Sequence, residues 1–369
     1  MKPLKSLSGI LTRPIWATLF FVIALTVQAC GPGAAPVANP DRGKPGSGGV
    51  ALNGAGATFP YPIYSKWFDE FAKAKGAQIN YQSIGSGGGI QQITQRTVDF
   101  GASDAPMTDE QLSSVQGTIL HIPTVLGAVV VVYSLPDVPS GLRLSPEAVS
   151  GIFLGEITKW NDPRIVSDNP DLKLPDQAVV VVHRSDGSGT TNIFTDYLST
   201  VSPSWKSKVG KGTSVNWPVG LGGKGNEGVA GQVKQSRWSI GYVELAYATQ
   251  NKLAYASIKN RAGKFVAPTL EATSAAAAGV KIPDDLRFSI VDPAGEGSYP
   301  IAGATWILVY QEQTNQTKGK VLVDFLSWAL TSGEGMAKDL QYAPLPAELL
   351  SKAQSKVKSI TFQGQPIAP

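Results

Sequence analysis

From Val50 onward the apolar positions switch between strand-like runs and helix-like spacing. Val50 to Leu52 reads as a short strand, and behind Pro60 and Pro62, which suit a helix start, Ile63, Trp67, Phe71 and Ala74 recur at helical spacing. Ile79 to Ser83 then reads as a strand, Ile90 to Thr97 as a short helix and Val98 to Ser103 as another strand. The run VLGAVVVVY, Val125 to Tyr133, is too short to cross a bilayer and rich in valine, which predicts a buried strand. Ser145-Pro146-Glu147 opens a helix through Phe153, with Ser as the cap and Pro in the first turn. Ala178 to His183 repeats the buried-strand pattern, and Thr190 to Leu198 reads as a helix that turns Ile193, Phe194, Tyr197 and Leu198 inward. Val321 to Leu330 is amphipathic at helical spacing. Strands and helices taking turns in this way predict an α/β sheet, with no internal repeat and no coiled coil.

The residues ahead of Val50 follow other rules. Lys2, Lys5 and Arg13 precede an apolar run from Ile15 to Val27 and then Gln28, Ala29 and Cys30, the make-up of a secretory signal over residues 1–29. Residues 30–49, rich in Gly, Pro and Ala, cannot bury enough surface to order themselves and read as a linker. Cys30 is the only cysteine, which excludes an intrachain disulfide and a cysteine metal cluster. Its position resembles the lipobox of bacterial lipoproteins, where the cysteine is lipidated; Val27 and Ala29 suit that pattern and Gln28 departs from it. The expectation is an exported protein, periplasmic or at the cell surface, held at the membrane through Cys30.

At 369 residues, with 42% hydrophobic and 16% charged, the chain can bury a sizeable core in two domains. The formal charge of +4 includes the three leader cations; without them 29 basic and 28 acidic residues remain. A balance of +1 gives no sign of a nucleic-acid surface.

Three glycine-flanked hydroxyl clusters each fall between a predicted strand and a predicted helix: Gly54 to Phe59 (GAGATF), Gly85 to Gly89 (GSGGG) and Asp186 to Thr191 (DGSGTT). At such a junction glycine lets backbone approach a ligand, free N–H groups of the helix start point at it, and a hydroxyl completes an anion site. One such loop is commonly a plain turn; three at the same end of an α/β sheet form a pattern. Arg184, directly after a buried strand, can bind oxyanion oxygens as a fork, pair with Asp186, or do both. Asp104, in GASDAP, follows a strand in the same way and serves either the site or the turn. A carboxylate suits a protonated anion: phosphate near neutral pH still carries a proton to donate, whereas sulfate would set lone pair against lone pair.

Rival motifs are absent or incomplete. No cluster completes GxGxxG, the nearest approach to a P-loop, Gly220 to Lys224, lacks spacing and hydroxyl, and there is no GxSxG elbow or HExxH. No cofactor or metal site is expected. His183 near Ser188 imitates a nucleophile and base, but a packed strand histidine is the simpler reading.

Taken in order, Gly54 to Pro60, Val98 to Pro106, Arg184 to Thr190, Gly220 to Gly228 and Ile240 to Glu244 resemble the phosphate-binding proteins that serve bacterial ABC phosphate importers. The resemblance implies a type II periplasmic-binding-protein fold, with two α/β domains, a ligand cleft and a two-strand hinge. Residues 50–124 with 299–369 would form a discontinuous first domain and 125–298 the second, with crossings near Pro123 to Gly127 and Tyr299 to Ala302. It further implies phosphate held by Thr58, Phe59, Ser86, Asp104, Arg184, Ser188, Gly189 and Thr190, with Asp186 positioning Arg184; Gly88 stands where serine or glycine is usual. The implied partners are inorganic phosphate and an ABC permease with its ATPase subunits, for a monomeric, non-enzymatic receptor. A receptor for sulfate or molybdate and a secreted serine hydrolase using Ser188 are the competing readings.

Overall fold

The computed structural model describes residues 50–368. The leader, Cys30 and the whole of the expected linker lie outside the described residues. One mixed sheet organises the body: β1 (Ala51–Gly56), β2 (Gln78–Ser83), β3 (Phe100–Ser103), β4 (Ile119–Ser134), β5 (Val180–Arg184), β6 (Leu221–Gly223), β7 (Ser239–Glu244), β8 (Ala254–Tyr255) and β9 (Ala302–Tyr310). The order is β2-β1-β3-β9-β4-β7-β5-β6, with β8 also pairing β4. Each end of the order is parallel, β2-β1-β3 and β7-β5-β6, and antiparallel pairings through β9 and β4 join the two ends.

β4 makes the connection because it is long and apolar. Its 16 residues are buried up to Ser134, so both faces must be covered. The first part pairs with β9, Ala302 opposite Ala128, and the last part with β7, Val129 opposite Glu244. The stretches expected to carry the chain from domain to domain thus lie side by side. Register shifts between Thr305 and Trp306, opposite Val125 and Pro123, which leaves Thr124 as the extra residue of a bulge.

The main helices are α1 (Tyr61–Lys75), α2 (Ser86–Thr94), α3 (Pro146–Phe153), α4 (Gly189–Val201), α5 (Gly225–Gln235), α6 (Leu245–Asn251) and α7 (Gln316–Trp328), of which α1, α2, α4, α5 and α6 follow parallel strands. α1 buries Ile63, Tyr64, Trp67, Phe68 and Phe71 as its spacing predicts, but Ala74 is exposed, one turn beyond the packed face. Ser145 caps α3 through its hydroxyl, which accepts from Ala148 N–H at 3.4 Å. α2 starts at Ser86, inside the glycine cluster and four residues ahead of the predicted Ile90. Tertiary packing overrides propensity there: a Cβ at Gly89 would lie 2.6 Å from Ala102 O and from Gly56 Cα, so only glycine lets this helix lie against β1 and β3.

Candidate functional site

All four parallel-strand ends that the sequence singled out turn toward one buried place. β1 leads into Thr58 and Phe59, β2 into Ser86, β3 into Asp104, and β5 into Arg184 through Thr190. Thr58, Ser86, Asp104 and Arg184 are no more than 3% exposed, and Phe59, Ser188 and Thr190 are fully buried. Polar groups so deep in a fold need partners or a ligand.

Ser86 and Gly189 bring the two ends of the sheet into contact. A Cβ on Gly189 would lie 2.5 Å from Ser86 Oγ and 2.6 Å from Asp104 Cβ, so the α4 start can approach only as glycine. Gly87 N–H donates to Gly187 O at 2.8 Å across the same gap. Ser188 is the cap of α4, its Oγ accepting from Thr191 N–H at 3.0 Å.

The Arg184 side is a fixed cation. Asp186 accepts from Arg184 Nε at 2.8 Å and Nη2 at 2.6 Å, and Gly225 N–H adds a third donor to Asp186 Oδ1 at 3.0 Å. Arg184 Nη1 reaches Thr190 Oγ1 at 3.3 Å. Burial would raise the Asp186 pKa, but the Arg184 hydrogen bonds and charge outweigh it and hold the carboxyl below its ordinary range. The ion pair fixes the guanidinium beside Thr190 and keeps Asp186 ionised.

The Asp104 side is built differently. Thr305 Oγ1 donates to Asp104 Oδ1 at 2.8 Å, placed by the bulge at Thr124, whose own hydroxyl donates to Thr305 O at 3.3 Å and meets Tyr64 Oη at 2.8 Å. Ser86 Oγ stands 3.4 Å from Asp104 Oδ2 and accepts Asp104 N–H at 3.2 Å. Burial lifts the Asp104 pKa to about 7, more than its hydrogen bonds and the Arg184 charge pull it down.

His183 stacks on Trp217 with centroids 4.8 Å apart, and its Nδ1 bonds Arg184 O at 3.0 Å. Its ring is committed away from a base role toward Ser188. Among the described residues no cluster of His, Cys, Asp and Glu could hold a metal, and no helix is long and apolar enough to cross a membrane.

Sequence reasoning missed the residues that act through others. Thr305 lies within β9, where a single Thr stands among apolar residues. Tyr247 Oη donates to Thr58 O at 2.6 Å, on the same peptide unit as the Phe59 N–H. Asn226, fully buried at the start of α5, touches both Thr58 and Thr190. Gly220 to Gly228 was noted as a motif, yet its glycines hid the helix that carries Asn226.

A family model described as the PBP superfamily domain matches residues 38–333. The phosphate-binding protein PstS of Pasteurella multocida is 49% identical over 346 residues, 93% of this chain and 94% of its own. The phosphate-binding protein PstS of Haemophilus influenzae is 48% identical over 84% of this chain and 93% of its own. A solved structure of a high affinity periplasmic phosphate-binding protein bound with phosphate matches with a TM-score of 0.67, covering 83% of this chain and 93% of its own at 21% identity. That likeness shows a shared fold, the periplasmic-binding-protein architecture expected from the sequence.

Proposed function

The chain belongs to the PBP superfamily, and on that premise we propose that it is an extracytoplasmic receptor that captures inorganic phosphate and passes it, chemically unchanged, to an ABC importer. One observation carries the reading. Thr58, Ser86, Ser188 and Thr190 hydroxyls, helix-start N–H groups and Arg184 converge in one buried place where Asp104 is the carboxylate without an ion pair. Donors there take the oxygens of a tetrahedral anion, and Asp104 takes its remaining proton. The ligand set is Thr58, Phe59, Ser86, Asp104, Arg184, Ser188, Gly189 and Thr190, with Asp186 orienting Arg184.

Residues 50–124 with 299–369 and residues 125–298 act as two domains that close over the ion, the side-by-side segments of β4 and β9 serving as the hinge. Contacts such as Gly87 N–H to Gly187 O would form on closure, and binding energy biases the open and closed states. Cys30 carries a lipid that tethers a monomeric receptor at the membrane, where it meets the permease and its ATPase subunits.

Calorimetric titration of the processed protein with phosphate and with sulfate tests the function. Saturable binding of one phosphate, with sulfate at least about 100-fold weaker, is the expected result. Equal affinity for the two ions would overturn it.

A further inference from the structure

Asn226 uses both ends of its side-chain amide. Its Oδ1 accepts Glu244 N–H at 2.9 Å, and because a backbone N–H can only donate, that contact fixes which end of the amide is oxygen. The Nδ2 end then faces two hydroxyls, Thr58 Oγ1 at 2.7 Å and Thr190 Oγ1 at 3.1 Å. Each hydroxyl also receives a second N–H: Asn226's own backbone N–H reaches Thr58 Oγ1 at 3.2 Å, and Arg184 Nη1 reaches Thr190 Oγ1 at 3.3 Å. A hydroxyl oxygen has two lone pairs and one hydrogen. With both lone pairs taken by N–H donors, the hydrogen of Thr58 and that of Thr190 must donate elsewhere.

We propose that Asn226 is the positioning residue that sets the polarity of the site, forcing the Thr58 and Thr190 hydroxyls to act as donors toward a bound anion. It rests on the phosphate-receptor reading. Without Asn226 each hydroxyl is free to rotate and to present a lone pair to the ion. With it, the Thr190 hydroxyl, in the same proposed domain as Asn226 and Arg184, is oriented before the ion arrives, so binding costs no reorientation of that group. Asn226 also couples this polarity to closure: Thr58 lies in the first proposed domain and Asn226 in the second, so its bonds to Thr58 form as the cleft shuts. Gly225, the neighbour of Asn226, donates to Asp186, so one helix start orients the hydroxyls and the arginine's partner together.

Asn226→Asp changes little in volume but reverses polarity, since a carboxylate accepts where the amide donates. Both hydroxyls would turn their hydrogens onto it. The expected phosphate affinity, measured by calorimetry, is lower by roughly 1,000-fold, whereas Asn226→Ala costs roughly tenfold. The decisive readout is coupling: in a Thr58→Ala, Thr190→Ala background, adding Asn226→Ala should change phosphate affinity by less than about twofold, because the hydroxyls it works through are gone. A merely structural Asn226 would cost the same in both backgrounds. That additive result, or Asn226→Asp binding phosphate within about threefold of wild type, overturns the proposal while leaving wild-type phosphate binding intact. Should Asn226→Asp fail to fold, the alanine series decides alone. If wild type itself does not bind phosphate, the receptor reading falls and this role falls with it.

Discussion

Asp104 is a buried carboxylate and Asp186 a partly buried one beside the same site, and their pKa values are pushed in opposite directions. Asp186 sits in a fork of Arg184 with a backbone N–H behind it, so its charge is matched and its pKa is depressed. Asp104 has hydroxyl partners and no matching cation, so burial pushes its pKa up to about 7. One side of the pocket therefore supplies charge and the other supplies an adjustable acceptor. In the proposed receptor, attraction to an oxyanion would come from the first and choice among oxyanions from the second, where a ligand lacking a proton meets an acceptor it cannot satisfy.

Removing the charge side gives the largest expected effect. Arg184→Met deletes the guanidinium proposed to face the anion, and phosphate affinity should fall by roughly 1,000-fold or more in calorimetry. It also strands Asp186, and breaking a buried pair from one side costs about 3 kcal/mol of stability. Adding Asp186→Asn separates the two losses: thermal stability should recover while affinity stays low. If the double variant regained phosphate binding, the division of labour between the two acids would be wrong.

On the other side, Asp104→Asn should cost phosphate roughly tenfold and sulfate nothing, with sulfate affinity gaining as the repelling acceptor disappears. The pH dependence sharpens the contrast. Asp104 is raised in the fold from its ordinary 3.8 to about 7, so within that window the folded chain holds a proton that the unfolded chain has released. Ligand-free stability from this group is full below the lower value and is lost as pH rises toward the upper one. The difference in urea midpoint between wild type and Asp104→Asn should therefore fall with rising pH, and sulfate binding to wild type should strengthen as pH drops below about 7. Asp186 has the opposite sign: its depressed pKa stabilises the fold above the ordinary carboxylate range and that contribution fades in acid. A midpoint difference that stayed flat with pH would show that Asp104 is not held protonated.

The same contrast marks what was legible in the sequence. Groups at a strand-to-helix turn announce themselves through glycine, hydroxyl and a charge within a few residues, and the grouping of Thr58, Ser86, Arg184 and Ser188 at such turns was legible for that reason. Groups that set those residues' states were not. Asn226 and Thr58 are 168 positions apart, and Thr305 and Asp104 are 201 apart. No local spacing encodes such pairs. α5, GNEGVAGQVKQ, has poor helix propensity and forms because its buried Val229, Ala230 and Val233 pack beneath the sheet. α2 likewise begins among glycines whose small size matters only once β1 and β3 are against it. The alternating pattern sufficed for the fold class; the glycine-rich helices, like protonation and donor direction, are decided by tertiary neighbours.

Glu244 extends the comparison to an acid that does not face the ligand. Tyr342 Oη donates its one hydrogen to Phe59 O at 2.6 Å and also stands 3.1 Å from Glu244 Oε2. That same Glu244 oxygen also accepts Ala246 N–H at 2.8 Å. Burial, which outweighs these hydrogen bonds, pushes the Glu244 pKa well above the carboxylate range. Glu244 thus shares Asp104's upward shift but reaches the carbonyl side of Phe59 only through Tyr342, whereas the N–H of Phe59 is the group expected at the anion. Tyr342→Phe should therefore lower stability by about 1–2 kcal/mol, since it removes the hydroxyl that serves Phe59 O and takes one of two partners from Glu244 Oε2. Phosphate affinity should stay within about threefold, the smallest effect of the set. Chemical unfolding beside calorimetry measures both, and an affinity loss beyond about tenfold would mean that the support behind Phe59 is part of the recognition surface after all.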